Sequence, residues 1–223
     1  MRLPRKRITV IAGAAVLAVA AAVALILTVG QTSSGPVPAP AQSQPAAGQP
    51  TQSQQAQAAA PAGFAWFRSQ AAPRDWLQAS LAGRSGVLSY PSTLRSMAGD
   101  PGTVTFGLST RTGAALVYLN ATPRQGGETL RNWPDFRVEH LREENDTDVR
   151  IDTTSPILSF QGGRGRCVVD DYTSKAHNNH YREIACYVRG ADRASVLIAA
   201  TRAMTWARYG TLLEQVVNGY AVK

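Results

Sequence analysis

The sequence predicts an α+β domain, an antiparallel β-sheet with packed helices and a long C-terminal helix, preceded by one transmembrane helix and a disordered linker. Three observations predict it. Short strand-like segments follow one another from residue 86 to residue 201 with turn residues between them, the pattern of an antiparallel sheet. Trp206, Tyr209, Leu212, Leu213, Val216, Val217 and Tyr220 recur at steps of three and four, the spacing of one helix face. Residues 8–29 carry no charge, and the segment after them has nothing with which to build a core.

Arg2, Arg5, Lys6 and Arg7 mark residues 1–7 as a short basic tail. The 22 residues of 8–29 would extend about 33 Å as a helix, against a hydrocarbon core of about 30 Å. Basic residues precede this run and no charge follows until Arg68, so the positive-inside rule leaves the N-terminus in the cytoplasm and exports the rest. A cleaved signal peptide is the competing reading. Its apolar region would be about 7 to 15 residues long and end in an Ala-x-Ala-like site, which Thr28-Val29-Gly30 matches poorly. Residues 30–63 read as a disordered linker: from 31 to 63, 27 of 33 positions are Ala, Gln, Pro or Ser, with no charge and no aromatic ring.

Residues 64–223 are then a single extracytoplasmic domain, large enough to fold on its own core. They hold nineteen basic and fifteen acidic residues, a formal +4, half of the chain's +8, so the high pI overstates how basic the folded part is. The arginines are interleaved with Asp and Glu rather than gathered in a stripe, which argues against a nucleic-acid partner. Arginine outnumbers lysine 20 to 3, the usage expected of a GC-rich, actinobacterial genome.

Within the domain, Trp76, Leu77 and Leu81 follow Pro73 at helical spacing and suggest an opening helix over residues 73–82, stopped by Gly83. Residues 86–90 form a strand ended by Pro91. Val104, Phe106 and Leu108 alternate with Thr105, Gly107 and Ser109, while residues 115–119 are continuously apolar and so more central. Pro134 suits the first turn of a helix that carries Trp133, Phe136, Arg137, His140 and Leu141 on one face to about Glu144. Four strands come next: 149–160, interrupted by Pro156, then 166–173, 181–189 and 194–201. Thr205 is placed to cap the closing helix, with Glu214, Gln215 and Asn218 opposite its apolar stripe.

The strand ending Leu88-Ser89-Tyr90-Pro91, the meander, the middle helix, the long hairpin and the closing helix together resemble the PsbP-like α/β/α sandwich superfamily over residues 86–222. The tryptophan often found a few residues after Tyr-Pro is absent here, with Leu94 and Met97 nearby instead. The resemblance implies a fold used mostly by non-enzymatic binding or assembly modules, an implication that stops at the level of fold.

Cys167 and Cys186 are the only cysteines, and an even pair in an exported domain is read as a disulfide. If they face each other in a hairpin, Val169 opposes Ile184, Asp171 opposes Arg182 and Thr173 opposes His180, which gives an apolar pair and an opposite-charge pair. The turn then centres on Ala176 and His177, so His177-Asn178-Asn179-His180 is a solvated tip rather than a metal site; Asp170 or Asp171 would join it only if the hairpin doubled back. Gly162-Gly163-Arg164-Gly165-Arg166 is read as a flexible turn before a strand, with Arg164 and Arg166 the candidate anion-binding residues. Glu143, Glu144, Asp146 and Asp148 read as a solvated helix end, and Trp66, Phe67 and Trp76 as core. No catalytic, metal or cofactor motif is present. The expected function is a membrane-anchored, extracytoplasmic binding or assembly module for an envelope protein or wall component; the alternative is an envelope hydrolase whose groups come from distant residues.

Overall fold

A computed structural model describes residues 62–223; the expected basic tail, membrane span and all but the end of the linker lie outside them. No helix among the described residues is long and apolar enough to cross a membrane. A short hairpin, β1 (Leu77–Ser80) and β2 (Val87–Tyr90), forms a small sheet. The main sheet takes β3 (Arg95–Ser96), β4 (Val104–Ser109), β5 (Ala115–Pro123), β6 (Thr147–Thr154), β7 (Leu158–Phe160), β8 (Gly163–Ser174), β9 (Asn179–Arg189) and β10 (Ala194–Arg202). Their order is β3-β4-β5-β10-β9-β8-β6, with β7 beside β6 on the outer edge of β8, and every pairing is antiparallel. Helix α1 (Trp133–Glu143) lies on one face and α2 (Trp206–Asn218) on the other.

The expected helix over 73–82 does not form. Leu77, half exposed, pairs with Tyr90, and Ala79 pairs with Leu88, so strand pairing overrides the helical spacing of Trp76, Leu77 and Leu81. The interruption at Pro156 is real, because proline has no N–H for the ladder. Ser155 repairs the break: its backbone N–H donates to the Cys167 carbonyl at 2.8 Å, and its hydroxyl accepts the Cys167 N–H at 2.8 Å. β5 is central as expected, between β4 and β10, and it buries Val117, Leu119 and Ala121 on the α2 face.

The long hairpin keeps the expected register. Cys167 opposes Cys186 with Cα atoms 4.0 Å apart and sulfurs at disulfide distance, and Val169, Asp171 and Thr173 oppose Ile184, Arg182 and His180. An Arg182 N–H donates to Asp171 Oδ2 at 2.9 Å, so the anticipated charge pair is a hydrogen bond.

α2 buries Leu213, Val216 and Val217 against the sheet. Thr205 occupies the cap position without capping, since its hydroxyl donates instead to the Arg202 carbonyl at 3.0 Å. Asn218, expected on the solvent side, is buried; its Oδ1 accepts the Arg68 N–H at 2.7 Å and its carbonyl the Gln70 N–H at 3.1 Å. Those bonds hold the entering segment, with Phe64 buried and Trp66 and Phe67 packed beside it, against the α2 face.

Candidate functional site

α1 packs over β6, β8 and β9, its Trp133 also closes over Val196, Ile198 and Ala200 of β10, and the same face of β5 beyond them is only half-buried. The step from covered to half-buried sheet makes a cleft of about 240 Å³. Its floor is the half-buried row Tyr118, Asn120 and Thr122, the alternate residues of β5 to those in the core. Its wall is Trp133, Phe136, Arg137 and His140 at successive turns of α1, which is why one apolar helix face also places a guanidinium and an imidazole. Trp133 is fixed by its indole N–H, which donates to the Ala185 carbonyl at 3.0 Å.

At the inner end of the cleft the pairings set Tyr118, Ala200, Glu183, Asp170 and Ile151 side by side in one row across five strands. Asp170 and Glu183 are fully buried and Arg137 nearly so. Arg137 donates from Nε to Glu183 Oε1 at 2.8 Å, with its terminal nitrogen 2.6 Å from the same oxygen, and lies 3.8 Å from Asp170 Oδ2. Glu183 Oε2 and both Asp170 oxygens have no hydrogen-bond partner among the described residues. Burial, then the charge of Glu183, push the Asp170 carboxyl well above the usual carboxylate range, and Arg137 only partly opposes them. Burial lowers the Arg137 pKa, but Glu183 and Asp170 raise it further, so it stays charged. Tyr118 and Tyr172 are pushed up by burial and then by Glu183, and both keep their protons. Of this facing pair, Glu183 lines the cleft and Asp170 does not. A second, wider cavity of about 720 Å³ shares Tyr118, Glu144 and Tyr172 and runs to Lys175 and His177 at the hairpin tip.

The residues singled out in the sequence lie mostly elsewhere. Gly163, Arg164, Gly165 and Arg166 are strand rather than loop: each pairs with β9 or β7, and the turn is confined to Gln161 and Gly162, the latter at φ +79°. Their N–H groups therefore face neighbouring strands and form no anion nest. Arg166 is occupied by the Arg131 carbonyl at 3.1 Å, and Arg164 stands exposed opposite Arg189. His177 is at the exposed tip, and no three metal-ligating side chains gather among the described residues. His180 turns toward Asp171, 3.8 Å away, on the other face of β8 from Asp170. His140 is half exposed, stacked on Phe136 and 3.4 Å from Glu144. The acidic run is less free than expected, since Asp146 accepts the Lys175 N–H at 3.0 Å and Asp148 the Thr173 hydroxyl at 2.9 Å.

The sequence reading missed Arg137 as an ion-pairing group, together with Glu183, Tyr118 and Tyr172. Glu183 was findable, because the register that opposes the cysteines also opposes Asp170 to Glu183, two like charges that a sheet tolerates only with a cation or a proton between them.

No family model and no curated relative matches the chain. Among solved structures, cyanobacterial PsbP (CyanoP) from Synechocystis sp. PCC 6803 superposes with a TM-score of 0.51 at 11% identity, over 68% of this chain and 94% of that one. A Pseudomonas aeruginosa protein of unknown function, PA94, described as a putative regulator, has a TM-score of 0.42 at 8% identity over 64% of this chain and 94% of its own. A Bacteroides thetaiotaomicron structure has 0.41 at 10% identity over 67% and 48%. The first likeness shows a shared fold, in keeping with the PsbP-like resemblance.

Proposed function

We propose that the protein is a membrane-anchored, extracytoplasmic binding or assembly module, non-enzymatic, that takes an envelope protein or wall component in the cleft beside α1. The observation that carries this reading is the half-buried face of β5. Tyr118, Asn120 and Thr122 present hydrogen-bonding groups on a floor between the aromatic wall of α1 and Asp100 and Thr103, as a recognition site does. The anchor and the export of the domain rest on the uncharged run at 8–29 and the basic residues before it.

A hydrolase is the second reading, favoured by ionisable groups converging at one end of a cleft. Acid–base work needs two groups that both reach the substrate. Asp170, the carboxyl that holds its proton, does not line the cleft, and Glu183 is tied to Arg137.

The test is site-specific photocrosslinking of the full-length chain in its native membrane. A photoreactive residue at Thr122 or Gln125, both on the cleft, should capture a discrete partner that the same residue at Gln215, exposed on α2, does not. Equal capture at Gln215, or none at the cleft positions, overturns the reading. Turnover of isolated envelope polymers that disappears in Glu183→Gln would establish the hydrolase instead.

A further inference from the structure

The fold gathers arginines that the sequence keeps apart. On the α1 face, residues at opposed positions form rows across the strands, and three rows beyond the one that holds Glu183 the register sets Arg124, Ala194, Arg189 and Arg164 side by side. Arg124 donates its backbone N–H to the Ala194 carbonyl at 2.9 Å, Ala194 pairs with Arg189, and Arg189 with Arg164. With strands about 4.8 Å apart, the row is about 14 Å long. One row back, Arg166 opposes Tyr187. None of these arginines lines the cleft.

The hairpin that pairs Asp171 with Arg182 here opposes two arginines, and like charges directly opposed destabilise a sheet. Among the described residues no carboxylate is ion-paired with Arg124, Arg164, Arg166 or Arg189, although Asp192 lies in the β9–β10 turn and Asp135 on the first turn of α1. Arg124 gives its Nε to the Gly126 carbonyl, and Arg166 one terminal nitrogen to the carbonyls of Leu130 and Arg131. Most of the five N–H donors on each guanidinium stay free. The hydroxyls of Tyr181 and Tyr220 are bonded, but that of Tyr187 makes no hydrogen bond among the described residues and is not sealed from solvent, although the residue is only 2% exposed. Burial raises its pKa against the pull of Arg124, with Glu128 adding to the rise and Arg189 opposing it, so the phenol keeps its proton as a donor. Glu128 itself is occupied by the N–H groups of Gln125 and Gly126 at 2.7 Å each.

We infer that this row binds a linear polyanion, a chain with phosphate or carboxylate groups at intervals, one group held between Arg164 and Arg189 and another at Arg124. The surface is separate from the cleft, so the inference stands whether or not the cleft takes a partner. Guanidinium forks hold oxyanions by two bonds at a time, and the oxyanion removes the repulsion between the opposed arginines. A row one residue wide fits a chain lying along it. It does not fit a flat bilayer, because α1, about 10 Å thick, stands on the same face and meets the surface first. Nor does it fit a nucleic acid, since the rings beside it, Trp133 and Tyr187, are buried and offer bases no face to stack on.

The experiment titrates the full-length chain, reconstituted in neutral phosphatidylcholine vesicles, with polyphosphate, polygalacturonate, orthophosphate and an oligothymidylate matched in charge to the polyphosphate. One polymer or both should bind at least about tenfold tighter per anionic group than orthophosphate, the gain of several contacts on one chain. The tighter of the two identifies the anionic group. Arg164→Gln and Arg189→Gln should each weaken polymer binding about threefold or more and lower the salt slope by about one. Both variants should fold, because each removes an opposition of like charges. Arg111→Gln, exposed in the β4–β5 turn, should change neither affinity nor slope. Absence of polymer binding, orthophosphate as tight per group, or an equal loss in Arg111→Gln overturns the inference. Oligothymidylate binding tighter than both polymers would make bases the ligand and overturn it too. So would loss of polymer binding by the wild type in vesicles rich in phosphatidylglycerol, which would put the row on the bilayer.

Discussion

Asp170 and Glu183 face each other directly across β8 and β9, both sealed from solvent, with one arginine between them. Two carboxylates and one guanidinium leave a negative charge in excess, and a proton on Asp170 removes it. A carboxyl whose folded-state pKa is raised binds its proton more tightly in the native than in the unfolded chain. It therefore stabilises the fold at low pH, and that contribution is lost as pH rises from the ordinary Asp value through the raised one. Urea midpoints of the wild type should fall across this window. Asp170→Asn, which mimics the protonated form, should flatten the fall and be at least as stable at pH 8. An unchanged pH slope in the variant would show that Asp170 is an ionised partner of Arg137.

Removing the cysteine link should be costly. Cys186→Ser opens the loop between two residues buried in the α2-face core and should cost about 3 kcal/mol, roughly 6–12 °C in the thermal midpoint. Reduction of the wild type should give a comparable drop, and a difference below about 2 °C by either route contradicts this.

Trp133→Phe tests how α1 is pinned. The substitution keeps most of the buried ring but removes the donor to the Ala185 carbonyl, for an expected loss of about 1–2 kcal/mol. Chemical unfolding measures the loss, and hydrogen exchange should show α1 opening more often than α2.

Gly162→Ala should undock the end of the chain. The residue has φ +79°, and an added Cβ would fall 2.0 Å from the Val222 carbonyl oxygen. Val222 donates its N–H to Gln161 at 2.9 Å, so faster amide exchange at Val222 and a loss of about 1–3 kcal/mol are expected. Unaltered exchange would mean that the backbone yields without strain.

What the sequence disclosed followed from period and pairing. Alternation set β4, the stripe from Trp206 to Tyr220 set α2, and one disulfide register aligned every pair of the long hairpin. Where it misled, a distant partner decided the outcome: Leu77 and Ala79 became strand because β2 offers them a ladder, and Asn218 went inside because Arg68 and Gln70 need an acceptor. The cleft depends on how far α1 reaches across the sheet, a packing distance that no local pattern encodes. Its charged end was nonetheless implicit in the register, through the opposition of Asp170 and Glu183.

Phe64 is buried beneath the α2 layer and Gly63 lies against Thr153, so the described chain starts on that side of the sheet. The cleft opens on the other side. Its mouth thus points away from residue 63. Phe64, and then the bonds of Arg68 and Gln70 to Asn218, hold residues 63–70 at the far surface from Tyr118 and Glu183, so this segment and an occupant of the cleft would load different layers of the same small domain.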